Sequence, residues 1–391
     1  MQSINLNLPR GWNALTASQL EDIARIFIDE SKAYTATGKF DRVSLLTRAF
    51  FALSGLRVLS LPHYDESDGE PHAIYYNCEY IDKHERAEKQ SFNGQIVPIR
   101  IYVDEIMSLA VGGYTEKDIE QYLKTLDRHY KRLDAGKDDP EPPMPEPKSP
   151  IGWLLAPCSR TIVPYPELTL PDAKATKQQN NKATKELPTI TLQGPNELMD
   201  GMTWRQYRIA GDYMQYIAQC ENAFVRLQKQ ALQQKKVSKI LQQQIVAAEQ
   251  QVKEVRAQFM ATIFNRPIPH IDPDTGLTVT SPWYTSSQSQ DNAYLFIDLP
   301  EEKFQVISFW WQGMMLHLQH QFPLVFRREK VKGDGKEADP LALYTRSTAT
   351  MIKYSAANEE EVNRTSYTII LQHIQDMAEE NKRVEEMRKG H

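Results

Sequence analysis

Apolar residues recur three and four positions apart over long stretches of this chain, and that spacing predicts helices. After Thr16 the first such face carries Leu20, Ile23, Phe27 and Ile28. Residues 43–61 bring Leu45, Leu46, Phe50, Phe51, Leu53 and Leu56, the pattern of a buried helix that ends near Gly55. After Thr203 come Tyr207, Ala210, Tyr213, Met214 and Ile217 on one face. Residues 224–259 then place Leu227, Ala231, Val237, Leu241, Ile245, Val252 and Val255 among many Gln and Lys. The spacing there drifts, so one imperfect amphipathic or coiled-coil-like helix is expected, stopped by Phe264-Asn265-Arg266-Pro267. From Pro300, Phe304, Ile307, Trp310, Trp311, Met314, Met315 and Leu318 are helically spaced until Phe322-Pro323. A last helix is expected to bury Val362, Ile370, Leu371, Ile374 and Met377, with a charged, fraying tail after residue 378.

Strand signals are few and lie early. Ile74-Tyr75-Tyr76 is one candidate, and residues 96–103 alternate loosely enough to be another. A short helix is expected over 104–109, and an amphipathic one from Thr115 through Ile119, Tyr122, Leu123 and Leu126 to Arg132. Residues 138–150 read DDPEPPMPEPKSP, whose prolines forbid helix and favour an extended spacer. Residues 174–186 are almost wholly polar and read as a mobile loop. Residues 267–290 and 329–340 read as further loops. The expected fold class is mostly α, with minor β content in the N-terminal unit. The expected organisation is an N-terminal unit over 1–137, a Pro-rich and polar linker region over 138–186, and a C-terminal helical unit over 187–391.

The helix starts repeat a phrase. Leu15-Thr16-Ala17-Ser18-Gln19-Leu20 and Met202-Thr203-Trp204-Arg205-Gln206-Tyr207 share an apolar residue, a Thr, two free positions, a Gln and an apolar residue. Thr as N-cap with Gln three residues on is a capping box, and the apolar pair is a hydrophobic staple. Two related helical units in tandem are the expectation. Asn358 with Glu361 forms a third box ahead of the last helix.

Bulk properties exclude more than they assign. The chain has 391 residues, 41% hydrophobic and 25% charged, enough for two or three domains with real cores. A net charge of −5 offers no general attraction to nucleic acid or anionic membrane. Cys78, Cys158 and Cys220 are odd in number and widely spaced, which suits a reducing compartment. Residues 1–7 lack the features of a signal peptide, and no apolar run has membrane-spanning length. A cytoplasmic protein is expected.

Candidate chemistry is sparse. His317 and His320 have a chelating spacing, but no third ligand accompanies them, so ordinary histidines are expected and no metal or other cofactor. Cys158 has no activating neighbour in sequence and reads as a packing residue. No phosphate-binding loop, dinucleotide fingerprint, nucleophile elbow or HExxH occurs. No catalytic residue is therefore assigned, and an enzyme would need a site that these patterns do not announce. Lys229, Lys235, Lys236, Lys239 and Lys253 are accompanied only by Glu249, yet they lack an aromatic platform and read as a solvated helix face rather than a nucleic-acid site. The densest block of large apolar residues is Phe309-Trp310-Trp311 with Met314-Met315. Trp310, Trp311, Met314, Met315, Leu371 and Ile374 are accordingly the candidate partner-binding residues, with a plain core as the alternative.

Five segments also carry a resemblance. They are Gly194-Pro195, the approach from Leu198 to Thr203, the phrase from Phe259 to Pro267, the Trp-rich helix ending Phe322-Pro323-Leu324-Val325-Phe326, and a final helix with Asn363 and Tyr367. Together these resemble phage and prophage tail-assembly chaperones encoded near the tape-measure gene. The opening Leu8-Pro9-Arg10-Gly11-Trp12-Asn13-Ala14-Leu15-Thr16 is similar to the start of many small proteins of that kind. The resemblance covers most of residues 1–60 and 190–378. It implies an α-helical, non-enzymatic assembly protein that binds the hydrophobic, helical tape-measure protein in the host cytoplasm and has no catalytic residues. The competing class is a structural virion component, such as a tail-completion or adaptor subunit.

Overall fold

A computed structural model describes residues 8–65, 73–80, 91–92, 95–96, 99–111, 124–125, 128, 151–172, 188–234, 236–271, 276–282, 284–326 and 358–389. The expected helix from Thr115 lies outside these residues except at positions 124, 125 and 128, which are helical. The spans 138–150, 174–186 and 329–340 also lie outside them. The fold is mostly helical. Two compact units comprise Met1–Cys158 and Ser159–His391.

In the first unit α1 spans Ala17–Thr37 and α2 spans Arg42–Ser54. Thr16 opens α1 with a complete capping box: its Oγ1 accepts from Gln19 N at 3.3 Å, and Gln19 Oε1 accepts from Thr16 N at 3.1 Å. Leu15 and Leu20, the staple, are both buried. Asp41 caps α2, which ends at Gly55 in the left-handed conformation that a side chain would strain. The two helices form an antiparallel hairpin. Within it the buried Glu30 carboxylate accepts from Ser44 Oγ at 2.7 Å, and Arg48 pairs with Asp29 at 2.6 Å.

The strands that follow are β1 (Leu56–Val58), β2 (His63–Asp65), β3 (Ala73–Tyr80), β4 (Ser91–Phe92), β5 (Gln95–Ile96) and β6 (Ile99–Tyr102). β3 is central and antiparallel to its neighbours. β1 and β2 pair along one edge of it and β6 along the other, so Tyr75 faces both His63 and Tyr102. The alternate face carries Tyr76, on which Phe51 of α2 packs edge-on at 5.1 Å, and the buried Cys78. Helix α3 (Val103–Val111) contributes the buried Ile106. A 3-10 turn at Gly152–Leu155 brings Trp153 edge-on to Trp12 at 5.3 Å.

The second unit contains strands as well, which the apolar pattern had not announced. β7 (Glu167–Pro171) and β8 (Thr189–Gln193) form an antiparallel hairpin with Leu168 opposite Leu192. The stretch from Ser159 to Asp172, expected within the linker region, therefore belongs to this unit. Helix α4 runs Trp204–Leu232 and α5 runs Lys239–Ile263. β9 (Pro267–Ile271), β10 (Thr278–Pro282) and α6 (Ser286–Asn292) occupy most of the expected loop over 267–290. A 3-10 turn at Ala293–Phe296 leads to α7 (Glu301–Gln321). The last expected helix is two, α8 (Glu359–Arg364) and α9 (Tyr367–Lys389), because the chain extends at Thr365.

That break has a purpose in the packing. Trp204 N donates to Thr365 O at 2.8 Å and Tyr367 N to Met202 O at 3.2 Å, so the starts of α4 and α9 are tied together through extended backbone. Tyr207 stacks against Trp204 at 5.7 Å and Tyr367 at 5.1 Å, with Trp311 at 6.0 Å. Phe259 meets Trp311 edge-on at 5.7 Å. This aromatic block is the centre of the unit.

Candidate functional site

The six sequence-derived partner residues lie on α7 and α9 of this unit. Trp310 and Met314 are fully buried, and Trp311 and Leu371 nearly so. Only Met315 and Ile374 are half-buried. Met315 Sδ accepts from the Tyr207 hydroxyl at 3.8 Å, and Trp310 Nε1 donates to Thr161 O at 3.3 Å. α7 is apolar on most sides, as a helix packed all round must be. Four of the six thus offer their surface to the protein's own interior.

Exposed large apolar side chains occur on several elements, Leu61, Ile271 and Leu277 among them, and also on α4 and α5. Residues 224–259 do not form one helix. The chain turns back between Leu232 and Lys239, and Ser238 caps α5 by accepting from Leu241 N at 3.1 Å. Neither Gly nor Pro marks the turn, and the Gln/Lys composition suits helix throughout, so the periodicity alone did not reveal it. Folding back is favoured because it buries Ile217, Cys220, Val252 and Val255, which one straight helix would leave wet.

Cross-links set the antiparallel register. Arg256 pairs with Glu221 at 2.8 Å and Glu301 at 3.3 Å while its guanidinium lies 4.6 Å over the Phe304 ring. Gln251 Nε2 donates to the Tyr216 hydroxyl at 2.7 Å. At the root, Tyr213 accompanies Gln258, and burial raises the tyrosine's pKa. Thr203 caps α4 as expected, accepting from Gln206 N at 3.2 Å. The Gln206 side chain does not complete the box. It donates to Thr262 O at 2.8 Å, supplying a partner to a carbonyl in the last turn of α5.

Toward the tip the surface changes character. Leu232 is 65% exposed, Ile240 69% and Val246 65%. Arg226, Lys229, Lys236 and Lys239 are exposed around them, and the sequence has no Asp or Glu between Glu221 and Glu249. An apolar tip in a basic field is the result, on a chain whose net charge is −5. The acid-free run was visible in sequence. What was not visible was the turn that gathers Leu232 and Ile240 at one end.

Among the described residues no group of three or more His, Cys, Asp or Glu is placed to hold a metal ion. Likewise no helix among them is long and apolar enough to cross a membrane. His317 is half-buried and His320 exposed on α7. No protein-family model, curated protein or solved structure matches this chain.

Proposed function

We propose that this is a non-enzymatic assembly protein of a phage or prophage tail, acting in the bacterial cytoplasm as a chaperone-like binder of the tape-measure protein. The observation that carries the reading is the α4–α5 hairpin, which holds large aliphatic side chains in water inside a basic surround. A client that is helical and apolar can cover Leu232, Ile240 and Val246, and acidic residues flanking its apolar face would meet Arg226, Lys229, Lys236 and Lys239. The resemblance of residues 190–378 to tail-assembly chaperones supports the same reading. Burial of Trp310, Trp311, Met314 and Leu371 moves the client contact from the Trp310 block to the hairpin tip.

The reading extends to origin and layout: two helical modules in tandem, joined by the Pro-rich segment over 138–150. The shared N-cap and staple geometry at Thr16 and Thr203 supports it, although Gln19 and Gln206 use their side chains differently.

The experiment is coexpression of the full chain with a phage tape-measure protein, followed by copurification. Capture by the wild type, and at least tenfold less by Leu232→Asp/Ile240→Asp at unchanged melting temperature, is the expected result. Capture that ignores these substitutions overturns the hairpin assignment. Absence of capture together with the protein's presence in purified virions favours the structural-component reading instead.

A further inference from the structure

The basic, acid-poor character of the α4–α5 tip has a counterpart in the first unit. Asp41 is the sole acidic residue between Glu30 and Asp65, against Lys32, Lys39, Arg42, Arg48 and Arg57. Its carboxylate is engaged as the cap of α2, accepting from Ser44 N at 3.0 Å. Arg48 turns to Asp29 and Arg57 to Glu79. Lys32, Lys39 and Arg42 lie around the α1–α2 turn, and all three are exposed.

Large apolar side chains share that turn. Phe40 in the connection is 54% exposed, Tyr34 in the last turn of α1 48%, and Val43 in the first turn of α2 47%. Apolar residues exposed singly are ordinary, but connections favour Gly and polar side chains, and here three large apolar ones fall within residues 34–43. The turn that presents them is fixed. Gly38 is left-handed and its N–H donates to Tyr34 O at 2.8 Å, while Thr37 Oγ1 accepts from Lys39 N at 3.2 Å. A backbone already ordered loses little further freedom when a partner covers Phe40.

Apolar contact alone would accept many partners, and the cations select among them. A basic surface is repelled by Lys32, Lys39 and Arg42. A second copy of the same turn would set like charges against each other. An amphipathic helix whose apolar face is bordered by carboxylates matches both features at once.

We propose that the α1–α2 turn is a docking surface for an acidic amphipathic helix of a partner protein. The helix lays its apolar face on Tyr34, Phe40 and Val43 and turns its carboxylates to Lys32, Lys39 and Arg42. This contact rests neither on the tail-assembly reading nor on the α4–α5 tip.

The test uses the full chain carrying Leu232→Asp/Ile240→Asp, so that the other tip is already disabled. The probe is a fluorescein-labelled synthetic helical peptide with Leu on one face and Glu along its borders, read by anisotropy. Saturable binding is expected, and the same peptide with Lys in place of Glu should bind at least about tenfold more weakly. Adding Phe40→Asp or Lys39→Glu should each weaken the Glu-bordered peptide at least about tenfold at unchanged melting temperature. No saturable binding overturns the proposal, as does equal binding of the Lys-bordered peptide or binding that survives both substitutions. Cosedimentation with phosphatidylglycerol vesicles that Phe40→Asp abolishes, without peptide binding, makes the turn a lipid contact and also overturns it. None of these failures touches the α4–α5 assignment, which the capture experiment decides separately.

Discussion

Gly313 of α7 lies so close to Arg160 that a Cβ there would stand 2.1 Å from the Arg160 carbonyl oxygen and 2.5 Å from its nitrogen. Both atoms are backbone, so neither can swing aside. Gly313→Ala should therefore force α7 and the segment before β7 apart, at a cost of about 3 kcal/mol or more. The neighbouring Trp310→Phe loses the hydrogen bond to Thr161 O and some packing, about 1–2 kcal/mol. Urea denaturation of both variants checks the order. A Gly313→Ala protein as stable as the wild type would mean that the segment has room to move.

The two Thr caps should cost alike and their Gln partners unalike. Thr16→Ala and Thr203→Ala each remove a cap worth about 1 kcal/mol. Gln19 is half-buried and its side chain bonds only its own helix start, so Gln19→Ala should cost under about 0.5 kcal/mol. Gln206 is buried and reaches Thr262 O, so Gln206→Ala should cost about 2 kcal/mol. Equal losses for the two Gln variants would contradict this division of roles.

How much of this was readable beforehand depends on range. The caps at Thr16, Thr203 and Asn358 and the stop at Gly55 are local, decided within four residues by backbone donors and acceptors, and the sequence pattern locates them. The turn at 233–238 is different, because Lys and Gln are compatible with continued helix and the reversal is decided by what Val252 and Val255 can bury against. β7–β8 and β9–β10 are short and contain Pro, so they look like loops until a partner strand is present. Trp310 and Leu371 are legible in the sequence only as large and apolar. Whether such residues face a client or a core is set by elements more than a hundred positions away, such as Tyr207.

Acid should loosen the link between α4 and α8. Arg205 donates to Glu360 Oε2 at 2.7 Å, and this hydrogen bond holds the carboxyl below the ordinary glutamate range. A depressed folded-state pKa means stability that is present above the unfolded value, about 4.3, and lost as pH falls through the folded one. The gap in urea midpoint between wild type and Glu360→Gln should thus be small but measurable at pH 7, since both partners are substantially exposed. It should close on acidification below pH 4. A gap that persists there would assign the stability to packing rather than to charge.

Thiol chemistry gives a further check. Cys78, Cys158 and Cys220 are all buried, and burial pushes the Cys78 thiol up to about 11. At pH 8 its thiolate is then about one part in a thousand, and reagent cannot reach it. Iodoacetamide should leave all three unlabelled in the native protein and label all three in urea. Native labelling of Cys78 at the rate of a free thiol would contradict its position in β3.

The stacking of Tyr207 on Trp204 and Tyr367 has a consequence for how the chain comes off the ribosome. The hairpin of α4 and α5 is local and can zip up as soon as it emerges, but Tyr207 keeps one ring face uncovered until residue 367 has been made. Through the translation of the intervening residues the nascent chain carries an open aromatic seat beside a basic, apolar-tipped arm. Nascent chains stalled before Tyr367 should be sticky and protease-sensitive at the hairpin root, and a few further residues of synthesis should close it.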